Sequence, residues 1–132
     1  MDSFQFFLIT PEQKVLSETV EMLTLPGLEG DFGILCNHAP LAACLRPGLV
    51  KIHTEEKPLT YFISHGYCRV SENEACVLVE EAAPIEDLDR EELEALVQRQ
   101  RKHLNEAPDE TKSLIRKDIA ILESKISSLS GI

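Results

Sequence analysis

The hydrophobic period of this chain changes once, at Pro84, and no single class of fold accommodates both sides of that change. Upstream, short apolar runs with local alternation are punctuated by turn residues: Thr10-Pro11-Glu12-Gln13, Asn37–Pro40, Arg46-Pro47-Gly48, Glu55–Pro58, His65-Gly66 and Ser71–Glu74. The runs between them are Phe4–Ile9, Lys14–Leu16, Thr19–Leu25, Gly33–Cys36, Ala42–Leu45, Leu49–His53, Leu59–Ser64, Tyr67–Val70 and Ala75–Glu80. They read as about nine short strands, the pattern of a β-sandwich or flattened barrel. A long helix cannot persist through so many turn signals.

Downstream, Leu93, Leu96, Val97 and Leu104 fall on one helical face, interrupted by Gln100. Asp87 or Asp89 can cap this helix, Asp89 with Glu92 resembles a capping box, and early acids with later Arg99, Arg101, Lys102 and His103 complement the helix dipole. Asn105-Glu106-Ala107-Pro108 stops this helix. A second begins at Asp109, with a stripe of Ile115, Ile119, Leu122, Ile126 and Leu129 widened by Leu114 and Ile121. So short a connection predicts an antiparallel helical hairpin. The expected organisation is a β-sandwich domain over residues 1–85 and a two-helix hairpin over 86–132. Asp118 and Lys125 fall inside the second stripe, which suits a helix that lies on a surface and can leave it.

Composition bounds the partners. The 132 residues are 43% apolar and 27% charged, the profile of an ordinary soluble globular protein. Thirteen basic against 23 acidic side chains give a formal charge of −10, which argues against nucleic acid and against an anionic membrane surface. The acidic N-terminus reads as neither a signal nor a transit peptide, and no stretch approaches the roughly 20 apolar residues that span a bilayer. Residues 1–85 carry 5 basic and 12 acidic groups, and residues 86–132 carry 8 and 11. Arg116 and Lys117, on the polar side of the second helix, fit either a solvated face or a docking surface for an acidic partner.

No arrangement of residues spells out a reaction. Gly27, Gly30 and Gly33 are spaced like a phosphate loop, but a strand follows them and Glu29 and Asp31 flank them. An exposed loop between strands is the expected reading for Gly27–Phe32. Cys36, Cys44, Cys68 and Cys76 contain no C-x-x-C, sit in apolar contexts and read as free buried thiols in a reducing compartment. Cys36 with His38 does not match a metal-ligand spacing or a nucleophilic pair. Neither catalytic, metal nor cofactor residues are expected.

Gly27-Leu28-Glu29-Gly30-Asp31-Phe32-Gly33-Ile34-Leu35-Cys36-Asn37-His38-Ala39-Pro40-Leu41 resembles the signature of the epsilon subunit of F-type ATP synthases. The likeness continues through Thr10-Pro11-Glu12-Gln13, Arg46-Pro47-Gly48-Leu49-Val50, Ser64-His65-Gly66-Tyr67 and Asp87-Leu88-Asp89. It departs at Cys36, where the family has proline, and at His65, where it has the first glycine of a pair. The resemblance implies an all-β sandwich of ten strands followed by an antiparallel α-helical hairpin. It also implies a non-catalytic rotor subunit at the central stalk, coupling proton translocation to ATP synthesis. Gly27, Leu28, Glu29, Gly30, Asp31 and Phe32 would then meet the c-ring, and Thr10, His38, Ala39 and Pro40 the gamma subunit. Arg99, Arg101, Lys102, Arg116 and Lys117 would meet the catalytic α/β subunits when the helices extend to restrain ATP hydrolysis. Membrane association would come only through the complex, at the cytoplasmic face of a bacterial inner membrane or the stromal face of a thylakoid. Glu92 and Leu93 stand where some bacterial members carry the arginine and alanine of an ATP-binding motif, so ATP binding there is not expected. The alternative is a free-standing β-sandwich binding module with a passive helical cap.

Overall fold

A computed structural model describes residues 2–130. The chain divides into two compact units, Met1–Pro84 and Ile85–Ile132.

The first unit contains β1 (Phe4–Ile9), β2 (Lys14–Val20), β3 (Met22–Gly27), β4 (Gly30–Leu35), β5 (Leu41–Leu45), β6 (Gly48–His53), β7 (Leu59–Ile63), β8 (Gly66–Ser71), β9 (Glu74–Val79) and β10 (Ala82–Pro84). Hydrogen bonding runs β10-β7-β6-β3-β5-β8-β9-β1-β2, with β4 on β3. β3 pairs through Met22–Thr24 with β6 but only through Gly27 with β5. The ladder folds at that single pairing into two halves, β10-β7-β6-β3-β4 and β5-β8-β9-β1-β2. One core unites them: Phe6, Leu8, Leu23, Leu25, Val50, Ile52 and Val77 are 0% exposed, and β1 through β9 all contribute to the same cluster. This is the ten-stranded sandwich that the resemblance implies.

Three strand expectations change. Lys14–Leu16 and Thr19–Leu25 are not the strands. β2 continues through Ser17 and Glu18 to Val20, and β3 starts at Met22. Ser17 and Glu18 are tolerated because β2 pairs only with β1, so polar side chains there reach water. The break falls at Glu21, where the chain passes between halves and its amide donates to His53 O at 2.7 Å. Gly27–Phe32 is not a loop either: Gly27 pairs with Gly30, Pro26 with Asp31 and Leu25 with Phe32, leaving only Leu28 and Glu29 as a turn. β10 escapes periodicity because it has three residues. Its pairing with β7 is extended by Ser64, which is buried and whose Oγ accepts from Glu81 N at 2.8 Å.

In the second unit a 3-10 turn (Ile85–Asp87) precedes α1 (Arg90–Glu106) and α2 (Asp109–Ser130). Asp89 caps α1, its Oδ1 accepting from Glu91 N at 2.9 Å and Glu92 N at 3.2 Å. Arg90 Nη2 donates to Ser130 Oγ at 2.6 Å, and Arg101 pairs with Glu123 at 2.8 Å. Start therefore meets end, and the helices are antiparallel. Val97, Ile115 and Ile119 form the seam, with Leu104, Ala107, Leu122 and Ile126 half-buried around it. Leu96 and Leu114, assigned to the apolar faces from the sequence, remain 36% and 64% exposed. At about 100° per residue each lies well off the centre of its stripe, and two helices contact along one narrow seam.

Candidate functional site

The β5-β8-β9-β1-β2 half has an outer face, and its register defines what that face presents. Side chains alternate across a strand, so Phe6, Leu8, Cys68, Ala75 and Val77 point into the core. Cys44, Tyr67, Leu78 and Ile9 fall in line on the other face, through the pairings Cys44–Tyr67, Tyr67–Leu78 and Leu78–Ile9. The next line holds Ala42, Arg69, Cys76 and Phe7. Lys14 Nζ lies 5.0 Å from the Phe7 ring centroid, a cation–π distance. A third line is polar, with Gln5 donating to Thr19 Oγ1 at 2.9 Å beside Glu74. The outer face therefore grades from apolar to polar along the strands. At its apolar end a depression of about 400 Å³ is lined by Ile9, Thr10, Pro11, His65, Tyr67 and Leu78, among others. Tyr67 is 51% exposed there.

The cysteines follow the same alternation. All four are free, but only Cys68 is buried: Cys44 is exposed and Cys36 and Cys76 are intermediate. The expectation of four buried thiols fails at Cys44 and Cys76 because they belong to the outward lines, and at Cys36 because it lies just past the end of β4. Burial, then the charge of Cys76, pushes the Cys68 thiol up to about 12. Cys76 is also raised, by burial first and by Glu74, against the lowering pull of Arg69 and Lys14. Neither thiol is a ready nucleophile. Among the described residues no group of three or more His, Cys, Asp and Glu is placed to hold a metal, and no helix is long and apolar enough to cross a membrane.

The interface residues inferred from the sequence separate into three places. The turn between β3 and β4 carries Leu28, 63% exposed, and exposed Glu29. Glycine is required beneath it, since a Cβ on Gly27 would lie 2.5 Å from Gly30 O and 2.8 Å from the Phe32 ring, while Gly30 has φ 139°. Thr10 belongs to the same end of the sandwich, because Gly27 pairs with Leu45, Leu45 with Gly66, Gly66 with Val79, and β1 ends beside β9 there. Its side chain is buried, with Oγ1 donating to Gln13 O at 3.3 Å. His38, Ala39 and Pro40 lie at the opposite strand ends, just before Leu41. Asn37 turns the chain with φ 65°, and the His38 ring places Nδ1 2.7 Å from Ala39 O. Thr10 and His38–Pro40 do not converge on one loop cluster, so a partner touching both must lie along the length of a sheet.

On the helices, Arg99, Lys102, Arg116 and Lys117 are exposed and make no ion pair among the described residues. Arg101 differs, since it is committed to Glu123. The sequence reading missed the outward apolar lines altogether. Their signal lies in Phe4–Ile9 and Ala75–Val79, where apolar residues occupy both phases of the alternation, as in strands covered on both faces.

A sandwich with an apolar line on one outer face and exposed turns, followed by an amphipathic helical pair, has the build of a protein-binding module. The family model described as ATP synthase, Delta/Epsilon chain, beta-sandwich domain matches residues 3–85. The chain is 32% identical over 131 residues to the ATP synthase epsilon chain of Maricaulis maris, spanning 99% of this chain and 96% of the relative. Against the ATP synthase epsilon chain of Paramagnetospirillum magneticum it is 39% identical over 113 residues, spanning 85% and 82%. A chain in the Euglena gracilis mitochondrial ATP synthase, solved as OSCP/F1/c-ring, has the same fold, with TM-score 0.81, 24% identity and 96% and 81% coverage. The chain belongs to the ATP synthase epsilon-chain family.

Proposed function

We propose that this chain is the non-catalytic epsilon subunit of an F-type ATP synthase rotor, joining the gamma subunit to the c-ring and coupling proton translocation to ATP synthesis. The observation that carries this reading is the apolar outer face built from Ile9, Cys44, Tyr67 and Leu78. A face of that kind calls for a protein partner, and family membership supports gamma as the occupant. The Leu28–Glu29 turn serves as the c-ring contact, and Thr10 and His38–Pro40 flank the gamma contact at its two ends. Attachment to the membrane comes through the complex.

The hairpin serves as a brake on ATP hydrolysis. Its seam is narrow, and each fully buried apolar side chain is worth roughly 1.5–3 kcal/mol against exposure. Opening into water is therefore costly, whereas a partner that covers the same stripe restores most of the loss and leaves two states close in free energy. Helices of 17 and 22 residues extended end to end reach roughly 60 Å. Arg99, Lys102, Arg116 and Lys117 then meet acidic side chains of the catalytic subunits, and Arg101 joins them only after leaving Glu123.

The test is removal of residues 86–132 in the assembled enzyme. ATP hydrolysis rises while the complex still assembles, and Arg116→Glu with Lys117→Glu reproduces part of the rise, more strongly at low salt. Unchanged hydrolysis across salt and substrate concentrations makes the hairpin a passive cap. Failure of the full chain to co-purify with gamma and the catalytic subunits overturns the rotor assignment itself.

A further inference from the structure

The β3–β4 turn is held from outside. Arg46, in the turn between β5 and β6, donates from Nη1 to Gly27 O and from Nη2 to Asp31 Oδ1 at 2.6 Å. Its backbone N–H donates to Pro26 O at 3.0 Å, and Leu28 N donates back to Cys44 O at 2.9 Å. One residue thus grips both strands that lead into the turn. The β3–β4 ladder closes at the Gly27–Gly30 pair, where two glycines offer no side chain to cover Leu28 and Glu29 beyond it.

We propose that Arg46 is a positioning residue for the Leu28–Glu29 turn, and that Glu29, not Asp31, carries the negative charge the turn offers a partner. The proposal rests on the reading of that turn as the ring-facing contact. A guanidinium is a planar fork that satisfies a carbonyl and a carboxylate together in fixed geometry, and a lysine ammonium has no such fork. The pairing also offsets the charge of Asp31. Glu29, exposed and two residues earlier, makes no ion pair among the described residues. The recognition chemistry of the tip is therefore an exposed leucine beside one unpaired carboxylate, which fits a partner loop with a basic side chain next to an apolar surface.

Amide exchange on the full chain, followed by NMR, tests the positioning half. Arg46→Lys keeps the charge and removes the fork, and the Leu28 amide then exchanges about five-fold faster or more, with β1 amides and the urea midpoint unchanged. Should Arg46→Lys lower the midpoint as well, Arg46→Gln is read in the same way. Wild-type exchange at Leu28 in both variants overturns the positioning role. Titration onto a gamma–c-ring rotor lacking this chain tests the charge half. Glu29→Gln weakens binding several-fold at low salt, and Asp31→Asn, which keeps an oxygen for Arg46 to donate to, weakens it clearly less. Equal weakening by the two overturns the assignment to Glu29. If neither Glu29→Gln nor Leu28→Ser changes binding while Arg46→Lys still speeds exchange, the ring contact and the role of Glu29 fall and positioning by Arg46 stands.

Discussion

The two units bury their apolar residues to different depths. In the sandwich many core side chains are at 0% exposure, whereas in the hairpin the most enclosed, Val97, Leu93, Ile115 and Ile119, lie between 4% and 8%. Sheets packed face to face enclose a slab of side chains from both sides, whereas two helices meet along a line and leave each stripe open at its edges. A unit of the first kind holds its shape through its own interior. One of the second kind has a second surface of comparable quality always within reach, provided a partner offers it.

The comparison is sharpest in large-to-small substitutions. Phe6→Ala, at the centre of the sandwich, costs about 3–5 kcal/mol in urea unfolding. Ile119→Ala, in the helical seam, costs about 2 kcal/mol, the low end for its type, because the seam is open at its edges. Equal losses at the two positions would remove the distinction between the units. The probes separate naturally: both tyrosines, Tyr61 and Tyr67, lie in the sandwich, there is no tryptophan, and helical ellipticity reports α1 and α2. Ile119→Ala moves the ellipticity transition and leaves the tyrosine transition in place; coincident shifts would show one cooperative block.

Smaller effects distinguish the units by their chemistry. Cys68 is neutral in the folded sandwich up to about pH 12, against an ordinary value of 9.0. An acid whose folded value is raised binds more protons folded than unfolded, so stability is intact below pH 9 and falls as pH rises above it. The loss reaches about 1 kcal/mol by pH 10. Cys68→Ala removes most of that slope in the tyrosine signal, and the raised Cys76 keeps the remainder. Asp89→Ala removes the α1 cap and costs about 1 kcal/mol, read in the ellipticity. Arg101→Ala gives the least, about 0.2–1 kcal/mol, and the difference fades with salt because both partners are half exposed.

Much of this was legible from period alone. The sandwich, the helical pair and the Asp89 cap were set by alternation, turn residues and dipole order, which act locally. Failures came where a residue's role depended on which strand lay beside it. Ser17 and Glu18 look like a break until β2 is known to be an edge. Leu28 and Glu29 look like part of a loop until Gly27 is paired with Gly30. Cys44 and Cys76 look buried until β5 and β9 are given an outer face. The arginine fork at Arg46 joins residues far apart in sequence, and no local pattern reports it.

The parallel pairing of β1 with β9 sets the order in which the chain can be made into a protein. β1 sits between β2 and β9, so its hairpin with β2 forms early while its other edge waits for Glu74–Val79. During synthesis the first strand remains half satisfied until nearly the whole sandwich has left the ribosome, an interval of several seconds at about 5–20 residues per second. Contacts so distant along the chain place the sandwich among slower folders, in the millisecond-to-second range, whereas the helical pair made last has only local contacts to form. The part synthesised first is completed late, and a nascent chain arrested before Glu74 exposes the unpaired edge of Phe4–Ile9 to any strand that will take it.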